Sequence, residues 1–181
     1  MSTPAPKLTV ATAWLDGCSG CHMSFLDLDE RLMTLVEQVE IVYSPLVDAK
    51  TLPAQVDVGI LEGSISSEDD LEKARLFRER CAVLISLGDC AVTGNVPAMR
   101  NHFKLSEVLD RAYRENVTLQ PQIPTRAVPA LLTPVKPVHG VVAVDVFIPG
   151  CPPSAETIWS ILSDVIAGRV PDVSAVTRFG A

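Results

Sequence analysis

Apolar and polar positions alternate along this chain with two different periods. Leu8 to Leu15 (LTVATAWL) is β-prone until Asp16-Gly17 breaks it, which predicts a strand entering a loop. From Met23 onward Phe25, Leu28, Leu32, Leu35, Val36 and Val39 recur at three- and four-residue spacing, the stripe of one amphipathic helix. A short strand is expected around Ile41 to Tyr43, then a proline-containing link and the apolar strand Val56 to Leu61, which stops at Glu62-Gly63-Ser64. Ser66-Ser67-Glu68-Asp69-Asp70 offers capping hydroxyls and first-turn acids, while Arg75, Arg78 and Arg80 sit toward the other end, so a second helix follows. Cys81 to Leu87 is apolar throughout, as a strand covered on both faces is, and runs into Gly88-Asp89-Cys90.

Ser106 to Arg114 reads as a short helix with Val108, Leu109 and Ala112 inward. Prolines at 121, 124, 129, 134 and 137 then predict an extended loop near 117–137. Val141 to Ile148 reads as the last buried strand, closed by Pro149-Gly150-Cys151-Pro152-Pro153. Ser154 to Ala167 repeats apolar positions at Ile158, Ile161, Leu162, Val165 and Ile166, a helix ended by Gly168, with a short tail from 169. Strands alternating with helices predict an α/β fold, a parallel sheet with helices on both faces in a flavodoxin-like order. At 181 residues the expectation is a single domain, 1–181.

Composition narrows the function classes. Hydrophobic residues make up 48% and charged ones 20%, with a mean hydropathy of +0.27, more apolar than a lone domain needs, so part of the surface is expected to meet a partner. A net charge of −7 and a pI near 4.9 argue against nucleic acid, whose binding needs clustered Lys and Arg. No run of about 18 apolar residues exists to span a bilayer, so no membrane insertion is expected. The stretch MSTPAPKLTVATAWLDG lacks a secretory pattern and a twin-arginine pair, which points to the cytoplasm. There five cysteines are expected to serve metal or redox chemistry rather than disulfides.

In a parallel sheet the loops at the carboxyl ends of the strands converge on one edge, where ligands bind. Cys18 and Cys21 lie in one such loop, Cys90 in a second and Cys151 in a third, so four thiolates from distant segments can surround one object, as an iron-sulfur cluster requires. Gly17, Gly20, Gly88 and Gly150 would let backbone N–H groups approach the sulfurs. Cys81 begins an apolar strand and reads as a small buried hydrophobe, outside the ligand set. Spacing alone leaves three other readings open. A four-cysteine zinc site would use the same thiolates, although Cys90 and Cys151 lack the second C-x-x-C usual for zinc. Thiol-disulfide exchange at the C-x-x-C of WLDGCSGCH would leave Cys90 and Cys151 without a role. Unconnected buried cysteines are the last.

WLDGCSGCHMSFLDLDE, ILEGS, GDCAVTGNVPAMRN and IPGCPPSAETIW, in this order from Trp14 to Trp159, together resemble the small subunits of nickel-iron hydrogenases, with the NAD-reducing, bidirectional type the nearest match. The resemblance implies a flavodoxin-like subunit holding one proximal 4Fe-4S cluster on Cys18, Cys21, Cys90 and Cys151. It also implies electron relay between a nickel-iron large subunit and the clusters and flavin of diaphorase and iron-sulfur subunits, with the nickel-iron centre, FMN and NAD in those partners. No catalytic residue is expected in this chain. The related subunit of respiratory complex I carries adjacent cysteines where this chain has CSGC, which makes a quinone-reducing relay the runner-up.

The resemblance places Glu62 near the cluster, and His22, beside Cys21, is a candidate donor to a sulfur. Trp14 reads as packing beside the cysteine loop, and His102 and His139 have no motif around them. The fold invites bound FMN, but no phosphate-loop signature supports it in this chain.

Overall fold

The computed structural model describes residues 6–177, so the outermost residues of the expected 1–181 domain, including the start of its amino-terminal stretch and the end of its tail, lie outside the described part. Strand β1 (Leu8–Trp14) enters the first cysteine loop as expected. Two helices then stand where the periodicity predicts one, α1 (Gly20–Leu26) and α2 (Arg31–Gln38). The chain turns between them, with Asp29 at φ 50°, and Val39 opens β2 (Val39–Tyr43) instead of closing a helix. The apolar spacing survives the break because Phe25, Leu28 and Leu35 all enter one core, whichever element carries them. Val36, expected inward, is exposed.

β3 (Val56–Glu62) is followed by β4 (Ile65–Ser67), a short strand with no signal in the sequence, and by α3 (Glu68–Arg80). Ser67 caps α3 reciprocally: its hydroxyl accepts from the Asp70 N–H, and the Asp70 carboxylate accepts from the Ser67 N–H. β5 (Cys81–Leu87) leads into α4 (Asp89–Thr93) and a 3₁₀ turn over Pro97–His102. The expected helix at 106–114 is α5 (Leu105–Asp110) running into a wider turn over Arg111–Glu115. It buries nothing fully: Val108 and Leu109 are half-buried and Ala112 is exposed.

Two expectations need correction farther along. The proline-rich segment holds a strand, β6 (Leu131–Lys136), which pairs antiparallel with β4. The last strand of the main sheet is only β7 (Val146–Ile148). Before it, the chain runs through a 3₁₀ turn at Val138–Gly140, and Asp145 is tied to β5 by its side chain and backbone. Helix α6 (Ala155–Ile166) is capped by Ser154, and the tail carries a short helix, α7 (Val173–Val176).

The main sheet has five parallel strands in the order β2-β1-β3-β5-β7. Counted along the chain, that is the flavodoxin-like order 2-1-3-4-5. Helices cover both faces, as expected. One core gathers Phe25, Leu35, Ile158 and Ile161 from α1, α2 and α6 against one face of the sheet. The other gathers Ala74, Phe77 and Ala91 from α3 and α4 on the opposite face. No helix among the described residues is long and apolar enough to cross a membrane.

Candidate metal centre

The order of the strands places the turns after β1, β5 and β7 on one edge, and each carries its cysteines. Cys18 lies in the turn after β1, and Cys21 in the first turn of α1. Cys90 is in α4, directly after β5, and Cys151 lies in the turn after β7. All four are free thiols, Cys18 and Cys151 exposed, Cys21 and Cys90 half-buried.

Hydrogen bonds lock these turns to one another. The Gly88 N–H donates to the Ile148 carbonyl at 2.7 Å, and the Asp89 N–H to the Gly150 carbonyl at 2.8 Å. The Gly150 N–H returns a bond of 2.7 Å to the buried Asp89 carboxylate. Ser24 of α1 donates to the Pro153 carbonyl at 2.6 Å, tying the first helix to the Cys151 turn. Gly88, at φ 83°, takes a conformation that L side chains rarely adopt, and a Cβ there would collide with the Cys21 sulfur. The expectation that glycine N–H groups face the sulfurs thus fails for Gly88 and Gly150, whose N–H groups hold the turns together.

Burial pushes the Cys21 thiol far up from its ordinary value, and the Glu62 carboxylate and the other three candidate cysteines push it further. Burial likewise raises Cys90, with Cys151 and Cys18 adding to it, while the Val96 N–H and the Asn95 amide partly oppose the rise. The four thiols therefore sit close enough to feel one another's charge. Even so, among the described residues no three His, Cys, Asp or Glu side chains close around the position of a single metal ion. Four thiols are the donor set of an iron-sulfur cluster, whose positive iron would draw out the thiolates that burial disfavours.

His22 and Glu62 meet, but His22 donates to no sulfur. The Glu62 carboxylate accepts the His22 backbone N–H at 2.6 Å and lies 2.5 Å from Nδ1. Nε2 is 2.8 Å from the Thr12 hydroxyl, which is 2.8 Å from that of Ser44. All four side chains are buried. The Trp14 ring lies 5.8 Å from that of His22, packing beside the cysteine loop as expected. Cys81 is apart from the site, its sulfur against Gly59, where a Cβ would approach it to 2.5 Å. Asp89, Asn95, Thr12 and Ser44 hydrogen-bond around the candidate site, and reading the sequence did not single them out for it. Only Asp89, between Gly88 and Cys90, carried a positional hint.

The family model described as NADH ubiquinone oxidoreductase, 20 Kd subunit, matches residues 18–165. The chain is 45% identical to the NAD-reducing hydrogenase HoxS subunit delta of Cupriavidus necator, over 96% of this chain and 86% of that one. It is 37% identical to a subunit of the F420-non-reducing hydrogenase of Methanothermobacter marburgensis over 91% of its own length, but spans only 55% of that relative. Among solved structures, an NAD+-reducing [NiFe]-hydrogenase in the H2-reduced state superposes with a TM-score of 0.91 at 39% identity, covering 96% of this chain and 99% of that one. A [NiFeSe]-hydrogenase of Dm. baculatum, at 16% identity and a TM-score of 0.57, shares the fold.

Proposed function

The chain belongs to the family of the NADH ubiquinone oxidoreductase 20 Kd subunit, among the small subunits of nickel-iron hydrogenases, and from that premise we propose that it is the electron-transfer subunit of a cytoplasmic NAD-reducing enzyme. Its partners in this reading are a nickel-iron large subunit and diaphorase and iron-sulfur subunits, which hold the hydrogen-splitting site, FMN and NAD. Cys18, Cys21, Cys90 and Cys151 would hold one 4Fe-4S cluster. When bound, that group supplies one-electron transfer between the nickel-iron site and the partner clusters.

What this chain contributes is placement and environment. The reciprocal bonds between Asp89 and Gly150 fix the Cys90 turn to the Cys151 turn, and Ser24 fixes α1, with Cys21, to the same place. Glu62 and His22 lie beside the ligands rather than among them. Their buried hydrogen bonds clamp the start of α1, and the Glu62 carboxylate adds negative charge near Cys21.

One observation carries the reading. Four thiols from three turns gather at the carboxyl edge near enough to raise one another's pKa, a donor set that a cluster uses whole and that a C-x-x-C redox switch would leave half idle. The test is anaerobic purification of the tagged chain with whatever accompanies it. About four irons per copy of this chain beyond those of its partners, a nickel-containing partner and hydrogen-dependent NAD reduction are expected. Zinc in place of iron would end the proposal, and an iron-bearing complex without nickel would favour the quinone-reducing relative.

A further inference from the structure

The turn that follows Cys90 brings a side-chain amide against the sulfur of Cys151. Helix α4 ends at Gly94, φ 91°, and Asn95 follows at φ 31°, a left-handed conformation that asparagine tolerates better than most residues. Its backbone N–H lies 3.4 Å from the Thr93 hydroxyl, which itself donates to the Asp89 carbonyl at 2.8 Å, so the turn is fixed from within. The side chain reaches across to the other single-cysteine turn, with Nδ2 at 3.5 Å from the Cys151 sulfur. A thiolate only accepts, so the NH2 end of the amide, not its oxygen, must face it. The bonds between Asp89 and Gly150 make this reach possible, because they hold the Cys151 turn beside α4.

We propose that Asn95 is a hydrogen-bond donor to the sulfur of Cys151, and that it raises the reduction potential of the cluster this cysteine helps to hold. The inference rests on the assignment of the four cysteines as ligands. Donation to a ligand sulfur stabilises negative charge on it, and the reduced state carries more of that charge than the oxidised state, so removing the donor disfavours reduction. Asn95 is in this sense a tuning residue, not a ligand. The sequence alone gives it no such role, since nothing in GDCAVTGNVPAMRN sets it apart from a turn residue.

The test compares the whole complex carrying wild-type chain, Asn95→Gly or Asn95→Asp, by iron content and by an EPR-monitored redox titration of the cluster signal. Glycine keeps the backbone conformation and removes the donor. Aspartate keeps the shape, replaces the donor with an acceptor and adds charge. The expected result is wild-type iron content in both, a midpoint potential more negative than wild type for Asn95→Gly, and one more negative still for Asn95→Asp. An unchanged potential in Asn95→Gly overturns the inference, whatever Asn95→Asp does. If Asn95→Gly loses iron, the tuning role is overturned as well, because the charge that Asn95→Asp adds would lower the potential by itself. Loss of iron from both would make Asn95 a requirement for holding the ligands and also overturn the tuning role. A wild-type complex with no cluster signal would instead sink the assignment of the cysteines, a result distinguishable from all of these.

Discussion

Cys81 and Cys90 flank the same strand and burial raises both thiols, but only Cys90 sits among the other candidate ligands. At the entry to β5, Cys81 is 4% exposed, and burial lifts its thiol to about 11, against the opposing pull of the Arg78 charge. An unfolded chain would ionise this thiol near 9.0, so between about 9 and 11 only the unfolded state gives up the proton. The contribution is therefore complete below pH 9 and is lost as the pH rises toward 11. Replacing Cys81 with Ala is expected to flatten the alkaline loss of stability, by on the order of 2 kcal/mol between pH 8 and 11. Urea unfolding across that range checks it, and an equally steep loss in the variant would refute it. Glu62 offers a second case. It is 2% exposed and accepts the His22 backbone N–H, so Glu62→Ala strands a buried donor and a ring nitrogen. A loss of about 2–3 kcal/mol in urea unfolding is expected, far more than the few tenths a surface Glu would cost.

At the scale of elements, what the sequence made legible depended on whether local preference and burial agreed. β1, β3 and β5 stood out because apolar runs end in small-residue turns, and α3 because hydroxyls, acids and arginines sit where a helix wants them. Ser67→Ala is expected to remove about 1 kcal/mol, since it deletes the hydroxyl that accepts from the Asp70 N–H while leaving the Ser67 N–H bonded to the Asp70 carboxylate, and Ser67→Asn should retain most of it. Thermal unfolding of the two variants side by side measures this. β6 was hidden for a physical reason. It lies on a mostly exposed surface, contains Pro134 and pairs only with the three-residue β4, so it has no alternation to read. The division between α1 and α2 was hidden for the opposite reason, because Leu28 fills the core from the turn itself and keeps the helical spacing unbroken. The ligand candidates were legible because a cysteine after a strand must lie at the carboxyl edge. The roles of Asp89 and Asn95 were not, since they depend on which turn the fold sets opposite them.

The whole molecule shows where its excess apolar character goes. Met23 is 59% exposed in the helix that carries Cys21, and Val96, Met99 and Phe103, after Cys90, are 61%, 63% and 62% exposed. Side chains of this kind in the cysteine-bearing segments suit a face that a partner covers, because an electron relay works only where partner and cluster come close. Charge introduced there should weaken assembly without touching the core. Met99→Lys combined with Phe103→Lys is expected to leave thermal stability within about 0.5 kcal/mol of wild type, as surface substitutions usually do. The same pair should reduce recovery of the nickel-containing subunit in a pull-down by tenfold or more, a loss of about 1.4 kcal/mol in binding. Met33→Lys, on the exposed side of α2 and 72% exposed, is the control and should change neither. If the double variant recovers the partner as well as wild type does, the partner meets this chain elsewhere, and the electron path must leave the cysteine edge by another route.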